Sequence, residues 1–207
     1  KIVLRRIFFN IFLQQWFAGF AVMSMTSEEF IQKLLSTLAY NTVYMWGTFG
    51  SPVTKKIIEE KAEQYPSWYT EERKEFLYGL IGQNYFAFDC AGLIKGILWG
   101  WNGDPAQKYG GAKYKANGVP DLSADALIAR CNPSTDFSRV VPGEVVWISG
   151  HVGTYLGEGK VIESTSAWKN GVQITGCLNV LHDPQLPSGR LWTKHGKLPY
   201  VDYGGKD

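Results

Sequence analysis

The chain of 207 residues is 45% hydrophobic and 19% charged, with a net charge of +2. That composition supports one sizeable globular domain and excludes a disordered chain. The near-neutral balance, without a long basic run, excludes nucleic acid as the main partner. In chain order, Lys1, Arg5 and Arg6 precede the apolar run Ile7–Leu13, which has the order of a signal peptide. Asn10, Gln14 and Gln15 interrupt it, and no stable membrane insertion is predicted. Residues 1–25 stay open between a signal-like segment, upstream read-through and a peripheral helix.

Thr26 to Glu29 reads as a capping box that opens a helix with Phe30, Ile31, Leu34, Leu35 and Leu38 as its apolar stripe. Tyr44–Gly47 reads as extended. Ser51-Pro52 suggests the start of a second helix through Glu63, and Thr70 opens a third that stops near Gly82. Cys90 begins an apolar helix to about Trp99, and residues 100–120 read as a long surface loop. Asp121 or Ser123 caps a short helix ending near Cys131. From Val140 the pattern changes to strands: Val145–Ile148, His151–Leu156, Lys160–Thr165 and Val172–Thr175. Helices followed by hairpin-linked strands predict an α+β domain over residues 26–203, with a nucleophile-bearing helix on an antiparallel sheet and a tail at 204–207.

Three cysteines, Cys90, Cys131 and Cys177, give an odd count. Cys131 and Cys177 read as buried thiols, a bridge between them being the alternative. No cysteine pair has zinc-ligand spacing and the three histidines are scattered, so neither metal nor other cofactor is expected.

Cys90 draws attention because the first turn of a helix carries unpaired N–H groups and the positive end of the dipole, which favour a thiolate. The expected consequence is a thiol titrating below its ordinary range. His151 opens a strand after Ser149-Gly150, and Glu163 lies on the next strand. A two-residue turn at Glu158-Gly159 would put Glu163 on the wrong face. A three-residue loop, Gly157–Gly159, would set it across from Gly153, diagonal to His151 at about 7–8 Å between Cβ atoms. This arrangement predicts acyl transfer through a thioester: Cys90 attacks an amide carbonyl, His151 moves the protons and Glu163 holds the imidazole. The Cys90 N–H and Tyr44 are the candidate oxyanion donors. Taken singly, each of these residues has an ordinary structural reading in core packing or a strand hydrogen bond.

Together with their flanks they resemble a known family. Phe88-Asp89-Cys90-Ala91-Gly92-Leu93, Pro142–Trp147 followed by Gly150-His151-Val152-Gly153-Thr154-Tyr155-Leu156-Gly157, and Val161-Ile162-Glu163 look like the motifs of NlpC/P60 cysteine peptidases. Tyr44-Met45-Trp46-Gly47 is similar to that family's aromatic segment. The resemblance covers roughly Tyr40 to Tyr203 with gaps. It implies a papain-like α+β fold, Cys90 as nucleophile and His151 as base, with Tyr44, Trp46 and Asp89 lining the substrate end. It also implies a monomeric enzyme acting on peptidoglycan stem peptides of the bacterial wall, cutting next to D-glutamate, whether secreted or released at phage lysis. Three departures stand out: Glu163 where the family commonly has His, Asn or Gln; Ala91 where it often has Ser; and a helical insert at about 49–85. A CHAP-type amidase and a non-catalytic wall-peptide binding module remain as alternatives.

Overall fold

A computed structural model describes residues 25–186 and 188–204. The readings of residues 1–24 and of the last residues of the tail lie outside the described residues.

Met25–Thr26 (β1) runs into the helix Ser27–Ser36 (α1) through the predicted capping box: the Thr26 hydroxyl accepts from Glu29 N, and the Glu29 carboxylate accepts from Thr26 N. Asn41–Tyr44 (β2) and Phe49–Pro52 (β3) follow, then the helices Lys55–Gln64 (α2) and Glu71–Gly79 (α3), and Tyr85–Phe88 (β4). These strands form a sheet in the order β2-β4-β3, with β2 parallel and β3 antiparallel to β4. The expected helix start at Ser51-Pro52 is thereby corrected. Both residues belong to β3, an edge strand where proline costs no ladder bond, and Thr54 caps α2 through its bond from Ile57 N. Tyr85–Phe88 gave no strand signal because three of its four side chains are buried and no alternation marks a face.

Cys90–Leu98 (α4) is buried along its whole length. The Asp89 side chain caps it by accepting from Gly92 N. A side chain on Gly92 would run into the Thr48 carbonyl, and one on Gly96 into that of Phe49. Two glycines one turn apart thus let the 48–49 segment lie against the helix, and Asp89 N donates to Thr48 O at 3.0 Å. The expected surface loop at 100–120 is partly interior. Trp101, Ala112 and Val119 are buried, and the Trp99 and Trp101 indoles donate to the carbonyls of Val119 and Gly50. Ser123 caps Ala124–Ala129 (α5).

The larger sheet comprises Val145–Ile148 (β5), His151–Gly157 (β6), Lys160–Thr165 (β7), Gly171–Cys177 (β8), Gly189–Arg190 (β9) and Lys194–Gly196 (β10). Its order is β10-β5-β6-β7-β8-β9, antiparallel except for the β8–β9 pair. Val201–Asp202 (β11) returns to pair with β1. The core lies between α4, α1 and this sheet, built from Phe30, Leu93, Ile97, Val152 and Ile162 among others. The Ser164 hydroxyl donates to Phe88 O, joining the two sheets beside the start of α4.

The β6–β7 connection reaches the expected register by a different route. Gly157 pairs with Lys160 across the two-residue turn Glu158-Gly159, both at positive φ, as a tight hairpin needs. A bulge between Tyr155 and Gly157 then supplies the extra residue, so that Thr154 faces Ile162. Glu163 therefore lies beside Gly153, on the His151 face. The anticipated three-residue loop is not formed. The side chain reaches the right face because one residue is accommodated in the strand instead.

Candidate active site

Cys90 is the first residue of α4 and only 7% exposed. Backbone N–H groups of Val152, Ala91 and Cys90 itself point at its sulfur and favour the thiolate. Burial, and after it the Asp89 carboxylate, outweigh them and push the thiol up to about 12. This corrects the expectation of a depressed thiol: the N-terminus of α4 is present, but the sulfur is too far from water for it to win. The Val152 contact also sets the sulfur next to the His151 backbone.

His151 opens β6, and its Nε2 lies 2.6 Å from Glu163 Oε2. Glu163 is fully buried, which opposes its ionisation. Hydrogen bonds from His151, Arg190 and Thr175 prevail and hold its carboxyl below the usual range. An ionised carboxylate only accepts, so Nε2 carries a hydrogen, and in the neutral ring Nδ1 presents the lone pair. Nδ1 has no hydrogen bond among the described residues. The imidazole stacks on Trp192, centroids 5.8 Å apart and planes at 16°. The turn before His151 is pinned by Asp125 Oδ1, which accepts from Gly150 N at 2.9 Å and from the Trp147 indole at 2.7 Å.

Tyr44 ends β2 with its phenol near Cys90 and beside it in the lining of one cleft. Burial foremost, and the nearby Cys90 and Asp89, raise its phenol, which keeps it a protonated donor. Asp89 does two jobs. One oxygen caps α4, and the other accepts from Gly47 N at 2.8 Å, tying the Tyr44–Gly47 segment to the nucleophile's helix. Burial raises the Asp89 carboxyl against the pull of Lys95 and these N–H donors. Trp46, half exposed, lies on the rim near Tyr65, which α2 delivers.

These groups open on a cleft of about 690 Å³ lined by Tyr44, Trp46, Tyr65, Cys90, Asp121 and Gly150. Of the residues singled out from the sequence, Cys90, Tyr44, Trp46 and Asp89 line this cleft; His151 follows Gly150, which borders it, and Glu163 is held by His151 away from the lining. Sequence reasoning missed Arg190, Thr175, Trp192 and Asp125. Arg190 comes from a two-residue strand, 27 positions from Glu163, and no periodicity or motif announces it. Among the described residues no His, Cys, Asp and Glu cluster could hold a metal ion, and no helix is long and apolar enough to cross a membrane.

No protein-family model and no curated protein matches this chain. Among solved structures it is similar to the P60 domain of an M. avium subspecies paratuberculosis antigen, at 14% identity and a TM-score of 0.45, over 86% of this chain and 98% of that one. It is also similar to NlpC1 from Trichomonas vaginalis, at 13% identity and a TM-score of 0.43, over 83% of this chain and 44% of that one. The peptidoglycan hydrolase RipB from Mycobacterium tuberculosis is similar at 14% identity and a TM-score of 0.41, over 86% of this chain and 67% of that one. This chain spans less than half the length of the Trichomonas protein.

Proposed function

We propose that this protein is a cell-wall hydrolase that cleaves an amide bond of peptidoglycan stem peptides, next to D-glutamate, through a thioester on Cys90. The observation that carries the reading is a thiol at a helix start that lines a cleft, with His151 one residue beyond Gly150 at its border and that imidazole's Nε2 held by a buried carboxylate. The flanking sequence that resembles NlpC/P60 peptidases supplies the substrate class.

In this mechanism the Cys90 sulfur attacks the carbonyl carbon while its proton passes to His151 Nδ1. The Cys90 N–H and the Tyr44 hydroxyl receive the oxyanion, and one such donor contributes about 3–4 kcal/mol in well-studied sites. The protonated imidazole then gives its proton to the leaving amine, which departs as the thioester forms. A water, deprotonated by the same nitrogen, releases the acid and restores the thiol. Glu163 keeps the ring oriented throughout, as the carboxylate of a serine triad does. The helical segment between Gly47 and Phe88 forms one wall of the groove through Lys61, Gln64 and Tyr65 and shapes specificity.

Mass spectrometry of a digested, soluble disaccharide-stem peptide tests the bond. The expected product is a new amino terminus on the residue after D-glutamate. Release of the intact stem peptide from the sugar would replace this reading with an amidase, and an unchanged substrate that nevertheless binds would replace it with a recognition module.

A further inference from the structure

Glu163 receives more positive charge than a histidine-orienting carboxylate needs. Arg190 Nη2 donates at 2.8 Å to Oε2, the same oxygen that faces His151, and Arg190 Nε donates at 3.3 Å to Oε1. Oε1 also accepts from the Thr175 hydroxyl at 2.5 Å. The guanidinium lies over the Trp168 ring at 4.5 Å and near the Trp192 ring at 5.5 Å. Trp192 is also the ring on which His151 stacks, so one aromatic residue fixes both partners of the carboxylate.

We propose that Arg190 is a positioning residue that neutralises Glu163 and so holds Cys90 and His151 at rest as thiol and uncharged imidazole. The thiol is then deprotonated only as it attacks. The inference rests on the reading of Cys90 as nucleophile given above.

Glu163 is fully buried, so its charge must be balanced from within the protein. A lone buried carboxylate beside an imidazole draws a proton into the pair, because the resulting cation compensates it. A guanidinium stays charged at every accessible pH and supplies that compensation permanently. A proton added to His151 would then create a net positive charge inside the protein. Arg190 is the charged group that faces Glu163 besides His151; Asp89 and Tyr44 lie near Cys90, and Asp125 holds the turn before His151. Asp89 disfavours a resting thiolate. Without the Arg190 charge, the His151–Glu163 pair takes up a proton more readily. Whichever of the two holds it, Nδ1 then carries a hydrogen, which in the proposed mechanism stabilises a Cys90 thiolate.

The test is the pH dependence of Cys90 alkylation by iodoacetamide, read by mass spectrometry of the Cys90 peptide, in wild type, Arg190→Gln and Arg190→Lys. The wild-type rate is expected to fall steadily on acidification, with no reactive plateau near about pH 6. Arg190→Gln is expected to react about tenfold faster than wild type there, and Arg190→Lys, which keeps the charge, to follow the wild type. A merely structural arginine would leave the shape of the profile unchanged. A low-pH plateau in the wild type overturns the proposal whether or not the variants fold, and so do superimposable profiles for wild type and Arg190→Gln. Alkylation needs no substrate. A shifted profile in a protein that releases no wall fragments therefore supports the arginine's role and counts against the hydrolase reading alone.

Discussion

Two histidine–glutamate pairs in this molecule have nearly the same geometry and opposite surroundings. His151–Glu163 closes at 2.6 Å and His195–Glu144 at 2.5 Å. Cys131 lies near Glu144 of the second pair, and Cys90 lies by the backbone of Val152, the residue after His151 of the first. At His195 the other nitrogen is also used: Nε2 donates to the Asp136 carbonyl at 3.0 Å, so the ring keeps no free lone pair. Cys131 donates to Leu127 O, and burial with the nearby Glu144 raises its thiol. His195, Glu144 and Cys131 are all buried, and none of them lines the cleft. At His151 one nitrogen is left unoccupied and the cysteine borders a cleft. A carboxylate–histidine contact is therefore not the signature of a catalytic site. What sets the His151 pair apart is a second nitrogen without a hydrogen bond among the described residues and a cysteine that lines a cleft.

The sharpest way to break this comparison is to exchange the cysteines' fates. Cys90→Ala is expected to lower turnover by at least about 10⁴-fold, leaving thermal unfolding close to wild type, whereas Cys131→Ala keeps turnover within about twofold. His151→Asn and His195→Asn should separate in the same way. The first loses about 10³-fold or more in kcat, and the second loses about 3 kcal/mol of stability in urea unfolding with activity per folded molecule kept. Equal effects on activity would dissolve the distinction.

Tyr44→Phe sharpens the account of the cleft, removing one oxyanion donor for a loss of about 10²-fold in kcat with KM little changed. Gly92→Ala probes how α4 is seated: its Cβ would meet the Thr48 carbonyl, and a destabilisation of about 1–3 kcal/mol is expected by calorimetry. The smallest effect concerns acid. The Glu163 carboxyl titrates below its ordinary value in the folded state, so its stabilisation is complete above the unfolded value and lost as pH falls through the folded one. Urea midpoints measured from about pH 6 down to about pH 3 should fall for wild type, with that component absent in Glu163→Gln.

The half of the comparison that borders the cleft was legible in the sequence; the buried half was not. Cys90 and His151 stood out because local signals bear on each, an apolar run after Asp89-Cys90 and alternation after Gly150; Glu163 was placed through a three-residue loop, Gly157–Gly159, that is not formed. Capping likewise marked Thr26, Thr70 and Ser123 correctly. His195 and Glu144 are 51 positions apart and meet only because β10 pairs with β5. Arg190 is hidden for the same reason, reaching Glu163 through a short strand added beside β8. The bulge in β6 leaves no mark in composition either, although it decides which face Glu163 takes. The thiol's direction of titration followed from burial, a property of the assembled core and not of the helix start that the sequence displays.

The most direct test of the central claim is digestion of purified peptidoglycan by wild type, Cys90→Ala and Cys131→Ala, with the released fragments identified by mass spectrometry. The account predicts new stem-peptide termini from wild type and Cys131→Ala and none from Cys90→Ala. Undiminished digestion by Cys90→Ala would contradict it.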